Sequence, residues 1–143
     1  MGFLRRRRGP DRKTVIRTPS ENRYIKKVSA RILSQLEAAA VPEERIFDIK
    51  LCVEEAVRNA IVHGNRSDRN KTVITTFTLQ DDRVTIEVED EGEGYDHTTL
   101  PDPTDADYIM RNSGRGVYLI RKLMDSITFN DRGNKIVMAK KVR

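Results

Sequence analysis

The chain has 143 residues, 37% of them hydrophobic and 34% charged, which predicts one soluble globular domain with a single core. No apolar stretch approaches the roughly 20 residues needed to cross a bilayer, and the arginine-rich start lacks the apolar segment of a signal peptide, so we expect a cytoplasmic protein outside the membrane. The net charge of +5 is uneven, because residues 1–17 hold seven Arg or Lys against one Asp and so carry +6, which leaves −1 for the rest.

Residues 1–12 are predicted to form a basic, flexible N-terminal arm ahead of a nearly neutral domain at 13–143. Nucleic-acid binding through this arm would weaken steeply with salt and disappear when the arm is removed. A solvated tail is the favoured interpretation, so a nucleic-acid partner is not expected. The single cysteine, Cys52, lies in an apolar helical pattern and is expected to be a small buried hydrophobe.

The first half of the chain predicts one strand followed by two helices. An extended stretch at 14–17 is ended by Pro19, which cannot donate a hydrogen bond to a central strand. Apolar residues at helical spacing then predict a helix at about 20–40. A second helix with one apolar stripe is predicted from Pro42 to near Gly64, a residue that suits a left-handed helix cap.

The second half predicts a hairpin, a long loop and a final helix with two strands. Alternating runs at 71–79 and 84–88 flank Asp81-Asp82 and predict antiparallel pairing through a tight turn. Residues 93–113 show no sustained period, and loops of that length inside a compact domain are commonly functional. The remaining helix and two strands are predicted at 116–124, 127–129 and 136–139.

These elements predict an α+β fold. Helices and strands do not alternate one for one, which disfavours a doubly wound parallel sheet. We expect a two-layer α/β sandwich in which a mixed, mostly antiparallel sheet of about five strands carries three helices on one face. The long loop would then lie over a pocket between the two layers.

A polar stripe on the second predicted helix is the first candidate site. Glu55, Asn59 and His63 are spaced four apart and therefore stack along one face, while the apolar positions between them point to the core. A carboxamide oxygen suits Mg²⁺, which keeps most of its waters and needs few protein ligands, so Asn59 is the candidate metal ligand. A solvent-facing polar stripe is the alternative interpretation of these residues alone.

An acidic strand end with two glycines is the second candidate. In Asp90-x-Gly92-x-Gly94, the glycines allow the backbone to pass close to a planar ligand. The Asp90 carboxylate could accept a hydrogen bond from the exocyclic amine of adenine, which guanine does not present in the same place. A plain acidic turn is the alternative, and a calcium loop is disfavoured because its alternating oxygen ligands are missing.

A glycine-rich start to the third predicted helix is the last candidate. In Arg111-Asn-Ser113-Gly114-Arg115-Gly116-Val117, glycines lead directly into a helix whose free N–H groups would attract phosphate. Arg111 and Arg115 add positive charge. The segment fits neither a P-loop nor a Rossmann fingerprint, and simple helix capping is the alternative.

Together the three segments resemble the boxes of the GHKL ATPase superfamily, with its Bergerat fold. Glu55 to Gly64 resembles the N box, Asp90-x-Gly92-x-Gly94 the first glycine box, and Gly114-x-Gly116 the second. The resemblance extends over about residues 13–142. It implies ATP and Mg²⁺ as cofactors, with Mg²⁺ on Asn59, adenine on Asp90, and phosphates on the second glycine box and an arginine. The adjoining His63 and Val117 belong to the implied nucleotide site.

Within the superfamily, the length and the run Gly116 to Asp125 resemble the anti-sigma factor serine kinases. This resemblance implies phosphorylation of a serine on an anti-sigma factor antagonist (STAS-like) domain, partner switching with a sigma factor, and a homodimer. Glu55 would be the catalytic base that orients the serine hydroxyl. Arg111 lies two residues further from the second glycine box than the arginine of some relatives, and Arg115 lies inside it, so either could meet the γ-phosphate.

Two other functions stay open at this point. One is a non-catalytic ATP-binding regulator that sequesters a sigma factor or another partner without transferring phosphate. The other is a detached histidine-kinase-like ATPase domain, although the only histidines, His63 and His97, lie in the N box and the long loop. Phosphate transfer that is lost in Glu55→Ala while nucleotide binding persists would favour the serine kinase.

Overall fold

A computed structural model describes residues 12–93 and 112–143, and for residues 112–115 it describes the backbone. In chain order the elements are β1 (Arg12–Pro19), α1 (Arg23–Ala38), α2 (Glu43–Asn59) with a π-helical turn (Ala60–Gly64), β2 (Thr72–Gln80), β3 (Arg83–Glu89), α3 (Asn112–Leu123), β4 (Ser126–Phe129) and β5 (Lys135–Lys141). Residues 1–11 of the predicted basic arm and residues 94–111 of the predicted long loop lie outside the described residues, whereas Arg12, the last predicted arm residue, begins β1. No helix in the described ranges is long and apolar enough to span a bilayer.

The five strands form one sheet in the order β1-β2-β3-β5-β4. All four pairings between described strands are antiparallel, which confirms the predicted strand number and the mostly antiparallel sheet. The hairpin between β2 and β3 turns at Asp81 and Asp82, whose positive φ angles of 50° and 65° match the twist of the flanking strands. The predicted alternation is confirmed, since Val73, Thr75 and Phe77 are all buried.

The core lies between the sheet and the helices, as expected for a two-layer sandwich. Phe77 and Ile86 from the sheet join Ile32 of α1, Val57 of α2 and Ile120 of α3 in one buried cluster. Cys52 is fully buried in the same cluster, and burial raises the pKa of its thiol to about 12. The thiol is therefore neutral at physiological pH, which agrees with the predicted role as a small hydrophobe.

The end of the second helix differs from the prediction. It stops at Gly64 as expected, but through a π-helical turn in which the Asn65 N–H donates to the Ala60 carbonyl at 2.8 Å. The expected left-handed cap at Gly64 is wrong, because the positive φ angles fall on Arg66 and Ser67 instead. Single π turns in helices are often found at functional sites.

Candidate functional site

A cleft of about 210 Å³ opens between the end of α2, the end of β3 and the turn between β4 and β5. Of the predicted site residues, Asn59, His63, Asp90, Gly92 and Val117 all line it. Residues far apart in the sequence thus meet at one place. Gly64, the last residue of the predicted N box, lines the cleft as well. No individual site role is predicted from the sequence for the other described lining residues, which are Ala56, Ala60, Arg66, Lys71, Val88, Glu93, Phe129, Gly133, Asn134, Lys135 and Ile136.

Asp90 is half-buried in this cleft, directly after β3. One carboxylate oxygen, Oδ1, accepts a hydrogen bond from the Gly92 N–H at 2.8 Å. No donor among the described residues is bonded to the second oxygen, Oδ2. Burial raises the pKa of the Asp90 carboxyl above its ordinary value, although the bond from Gly92 opposes that shift, and the nearby negative charge of Glu89 adds to the rise. A donor arriving in the cleft would therefore meet a carboxylate that lacks full solvation.

The glycines beside Asp90 are required by close approach. A Cβ on Gly64 would lie 2.2 Å from Asp90 Oδ2, and a Cβ on Gly92 would lie 2.2 Å from the Gly64 carbonyl oxygen. Neither separation is possible for a real side chain. The π turn after α2 and the loop after β3 are thus held against each other at the place where Asp90 enters the cleft.

Asn134, in the turn between β4 and β5, holds the backbone of Asp90 from the other side. The Asp90 N–H donates to the Asn134 carbonyl at 2.9 Å, and Asn134 Nδ2 donates to the Asp90 carbonyl at 2.8 Å. Asn130 in turn accepts from the N–H groups of Gly133 and Asn134 through its Oδ1. The sequence indicated only a turn here, because asparagine is common in turns for local reasons.

Asn65 is a second framing residue that the sequence did not single out. It is fully buried, and its Nδ2 donates to Ser20 Oγ at 2.8 Å and to the Thr72 carbonyl at 3.1 Å. Its Oδ1 accepts from the Glu91 N–H at 2.7 Å, next to Asp90. Every polar atom of the Asn65 carboxamide thus has a partner, which ties the residue after the π turn to the residue after Asp90.

The contact between α2 and α3 places the predicted metal ligand and the predicted base next to the second glycine box. A Cβ on Gly116 would lie 2.6 Å from Asn59 Nδ2 and 3.1 Å from Glu55 Oε2. Glu55 is partly exposed, and its other oxygen, Oε1, pairs with Arg58. The glycine therefore allows α3 to approach the polar stripe of α2.

The structure describes only some of the remaining predicted site residues. Gly94 and Arg111 lie outside the described residues. Ser113, Gly114 and Arg115 lie in the first turn and a half of α3, which begins at Asn112 and so starts four residues before the predicted Gly116. The glycine box is therefore part of the helix rather than a lead into it.

The donor set fits a magnesium nucleotide better than a metal bound by protein alone. Among residues 12–93 and 112–143, no cluster of three or more His, Cys, Asp or Glu side chains could hold a metal ion. Asn59 offers a single carboxamide oxygen at the cleft. That is the kind of sparse protein contribution that Mg²⁺ accepts when phosphate oxygens and water complete its shell.

Comparisons with known proteins identify the family of the chain and several of its relatives. The sequence profile of the histidine kinase-like ATPase domain matches residues 18–140. An anti-sigma F factor of Clostridium perfringens is 35% identical over 136 residues, which cover 86% of this chain and 90% of that protein. A serine-protein kinase RsbW of Staphylococcus aureus is 29% identical over 136 residues, covering 90% of this chain and 86% of that protein.

A solved structure of RsbU and RsbW domains from Mycobacterium tuberculosis has a similar fold. It matches 92% of this chain with a TM-score of 0.64 at 17% identity. The chain spans 32% of the length of that protein, so the likeness concerns one of its parts. At this identity the similarity shows the fold alone.

Proposed function

The chain belongs to the histidine kinase-like ATPase domain family, and from that premise we propose that it is a Mg²⁺- and ATP-dependent serine protein kinase of the anti-sigma factor type. Its substrate would be a serine on an anti-sigma factor antagonist (STAS-like) domain, and a sigma factor would be its second partner. Relatives named as an anti-sigma factor and as a serine-protein kinase support this proposal. A cytoplasmic homodimer is part of the same proposal.

The observation that carries the proposal is the meeting of three separate segments at one cleft. Gly64 contacts Asp90, and Gly116 contacts Asn59 and Glu55, so the N box touches both glycine boxes. A cavity of about 210 Å³ is below the roughly 300–1,000 Å³ of typical ligand pockets, so it would hold part of a nucleotide and leave the rest at the mouth. Asp90 lies inside the cavity and α3 borders it.

In this proposal Asp90 selects the base. Its Oδ1 is occupied by the Gly92 N–H, which leaves Oδ2 to accept a hydrogen bond from the adenine amine. Hydrogen bonds to a charged acceptor are worth about 1.5–3 kcal/mol, and the half-buried position of Asp90 reduces competition from water. Asn134 fixes the backbone of Asp90, so the carboxylate is already oriented before a base enters.

The helix α3 and the stripe on α2 would receive the phosphates. Because α3 begins at Asn112, the backbone N–H groups of its first turn are free of helical partners and lie at the positive end of the helix dipole. Asn59 would hold Mg²⁺, and the bound ion would neutralise phosphate charge. Arg111, Ser113, Gly114 and Arg115 are proposed to complete this phosphate site.

Glu55 is proposed as the catalytic residue that orients the serine hydroxyl and accepts its proton. Its Oε2 faces α3 next to Asn59, while Oε1 is neutralised by Arg58. Phosphoryl transfer needs mainly positioning and charge neutralisation, so a correctly placed carboxylate is sufficient. The pairing with Arg58 fixes the rotamer of Glu55 and thereby aims its free oxygen.

The test compares Glu55→Gln with Glu54→Gln, a neighbouring carboxylate that is not among the atoms nearest to a Cβ on Gly116. Each variant is incubated with labelled MgATP and the antagonist domain from the native host, and MgATP affinity is measured by calorimetry. We expect Glu55→Gln to lose about 100-fold or more in transfer with MgATP affinity retained. Glu54→Gln should behave like the unsubstituted chain.

Three outcomes separate the proposed function from its competitors. Absence of MgATP binding by the unsubstituted chain would contradict the whole proposal. Binding without transfer to any partner would favour a regulator that sequesters its partner. Equal transfer by the two variants would remove Glu55 from the catalytic role while leaving the kinase function intact.

A further inference from the structure

Lys140 of β5 is an unusual feature of the core, because its side chain is only 5% exposed. Lysine is almost never buried at this level unless its ammonium group has partners. The cost of removing this charge from water must be offset by contacts inside the protein. The cleft lining does not include Lys140, and the kinase chemistry proposed above does not use it.

The ammonium group of Lys140 contacts both helices that carry the proposed phosphate site. Its Nζ donates a hydrogen bond to the carbonyl of Leu123, the last residue of α3. The same Nζ lies 3.9 Å from Asp48 Oδ2 on α2. A cation at the C-terminus of a helix is also favoured by the helix dipole, so the position of α3 suits the charge of Lys140.

The two helices joined by Lys140 are the ones whose separation decides the contact at Gly116. Gly116 lies seven residues before Leu123, which is about 10 Å along a helix that rises 1.5 Å per residue. A helix moves nearly as a rigid rod over that length, so a shift at its C-terminus moves Gly116 relative to Asn59. The Asn59 side chain has little room for such a shift, since its Nδ2 is 2.6 Å from where a Gly116 Cβ would stand.

We propose that Lys140 is a positioning residue that fixes α3 against α2 and thereby holds Asn59 and Gly116 at the separation that nucleotide binding requires. The functional part of this inference rests on the proposed ATP site. The positional part is a coupling between Lys140 and the contact of Asn59 with Gly116. It concerns the nucleotide-free protein and does not depend on the proposed ATP site.

The test uses Lys140→Met, Lys140→Gln and, as a matched control, Lys141→Met. Methionine fills a similar volume without a donor, and glutamine keeps an N–H donor without the charge. Lys141 is the exposed neighbour on the same strand, and substitutions at such surface positions usually change stability little. Two quantities are measured below the melting temperature of every variant: MgATP affinity by calorimetry, and the NMR signals of the Asn59 side-chain amide without nucleotide.

We expect Lys140→Met to shift the Asn59 amide signals and to weaken MgATP binding by about 10-fold to 100-fold, since a displaced Asn59 would lose one contact to a charged ligand, which is worth about that factor. Lys140→Gln should restore part of both quantities, because it can still donate to the Leu123 carbonyl. Lys141→Met should leave the Asn59 signals in place and MgATP affinity within about twofold.

A purely structural lysine would give a different pattern. Lowered melting temperature in Lys140→Met, with unshifted Asn59 signals and unchanged MgATP affinity, would overturn the inference. If the unsubstituted chain binds no MgATP, the proposed function fails, and the Asn59 signals alone decide whether Lys140 controls this contact. Equal losses in Lys140→Met and Lys140→Gln would show that the charge, rather than the hydrogen bond to Leu123, holds α3 in place.

Discussion

At the scale of single residues, the half-buried position of Asp90 opposes the charge that its proposed role as a hydrogen-bond acceptor calls for. Its carboxylate lies in a half-buried position that disfavours ionisation, yet the ionised carboxylate is the stronger acceptor for an adenine amine. The Gly92 N–H stabilises one oxygen and leaves the other for a ligand. The residue is therefore expected to contribute to base selection more than to the stability of the nucleotide-free fold.

Asp90→Asn should shift the base preference of the proposed site from adenine towards a base that carries a carbonyl group at the same position. Asparagine can still accept from the Gly92 N–H, but it now presents an N–H group where adenine also presents a donor. We expect MgATP affinity to fall by about 10-fold to 100-fold, the equivalent of one charge-assisted hydrogen bond. Inosine triphosphate carries a carbonyl at the same ring position, so its affinity relative to ATP should rise. Calorimetry with both nucleotides measures the ratio, and an unchanged ratio would contradict base selection by Asp90.

The raised pKa of Asp90 also predicts how stability depends on pH. Its folded pKa lies above the ordinary value of about 3.9, so the group favours folding most at pH values below 3.9, and this contribution is lost as pH rises through the folded pKa. The asparagine of Asp90→Asn does not ionise, so the variant does not lose stability in this way as the pH rises. Urea unfolding should show the variant gaining stability relative to the unsubstituted chain between pH 3.5 and 7. Parallel pH curves for the two proteins would contradict the expectation.

At the scale of elements, the packing of α3 on α2 depends on the missing side chain at Gly116. Gly116→Ala would place a methyl group 2.6 Å from Asn59 Nδ2, which forces the carboxamide to move. The helix itself would gain up to about 1 kcal/mol from the exchange of glycine for alanine. We therefore expect retained or increased melting temperature together with MgATP binding weakened by about 10-fold or more.

A double-substitution cycle decides whether Asn59 transmits that effect. If Gly116→Ala acts by displacing Asn59, then Asn59→Ala alone and the pair together should weaken MgATP binding by similar factors, because the second change removes nothing further. Fully additive losses would mean that the alanine at 116 harms the site by another route. Calorimetry on the three variants and the unsubstituted chain supplies all four corners of the cycle.

The elements themselves were largely predictable, since each depends on local periodicity. Alternation identified β2 and β3, and helical spacing identified α1 and α2. The sequence predicts the start of α3 four residues too late, because Gly114 and Gly116 lower the helix propensity of this segment. The contact of Gly116 with α2 cannot be recognised from the local sequence.

Contacts between distant residues account for the other differences. The sequence predicts a left-handed helix cap at Gly64. In the structure this glycine instead faces Asp90, which lies 26 residues later in the sequence. Asn65 and Asn134 look like ordinary turn residues in the sequence, and only the closed fold brings them to the backbone around Asp90. Residue types thus indicate the candidate ligand contacts, while the residues that frame the candidate site are recognised only in the three-dimensional structure.

At the scale of the whole molecule, the excess of positive charge lies at the start of the chain. Residues 1–11 contain four of the arginines and one aspartate, whereas every described residue that lines the cleft lies at Ala56 or later. Strand β1 begins at Arg12 and pairs with β2 from its first residue, so every described strand pairing is made by residues from 12 onward. The basic arm and the nucleotide site should therefore act independently.

Deletion of residues 1–11 should leave both the fold and the proposed ATP site unchanged. We expect a melting temperature equal to that of the full chain and MgATP affinity within about twofold at 0.15 M salt, where the Debye length is about 8 Å and exposed charges further apart than that are largely screened. Calorimetry at two salt concentrations provides the measurement, and a large loss of MgATP affinity would place the arm at the cleft. The same pair of proteins also tests the nucleic-acid alternative, because binding through the arm would fall steeply with salt in the full chain and vanish in the shortened one.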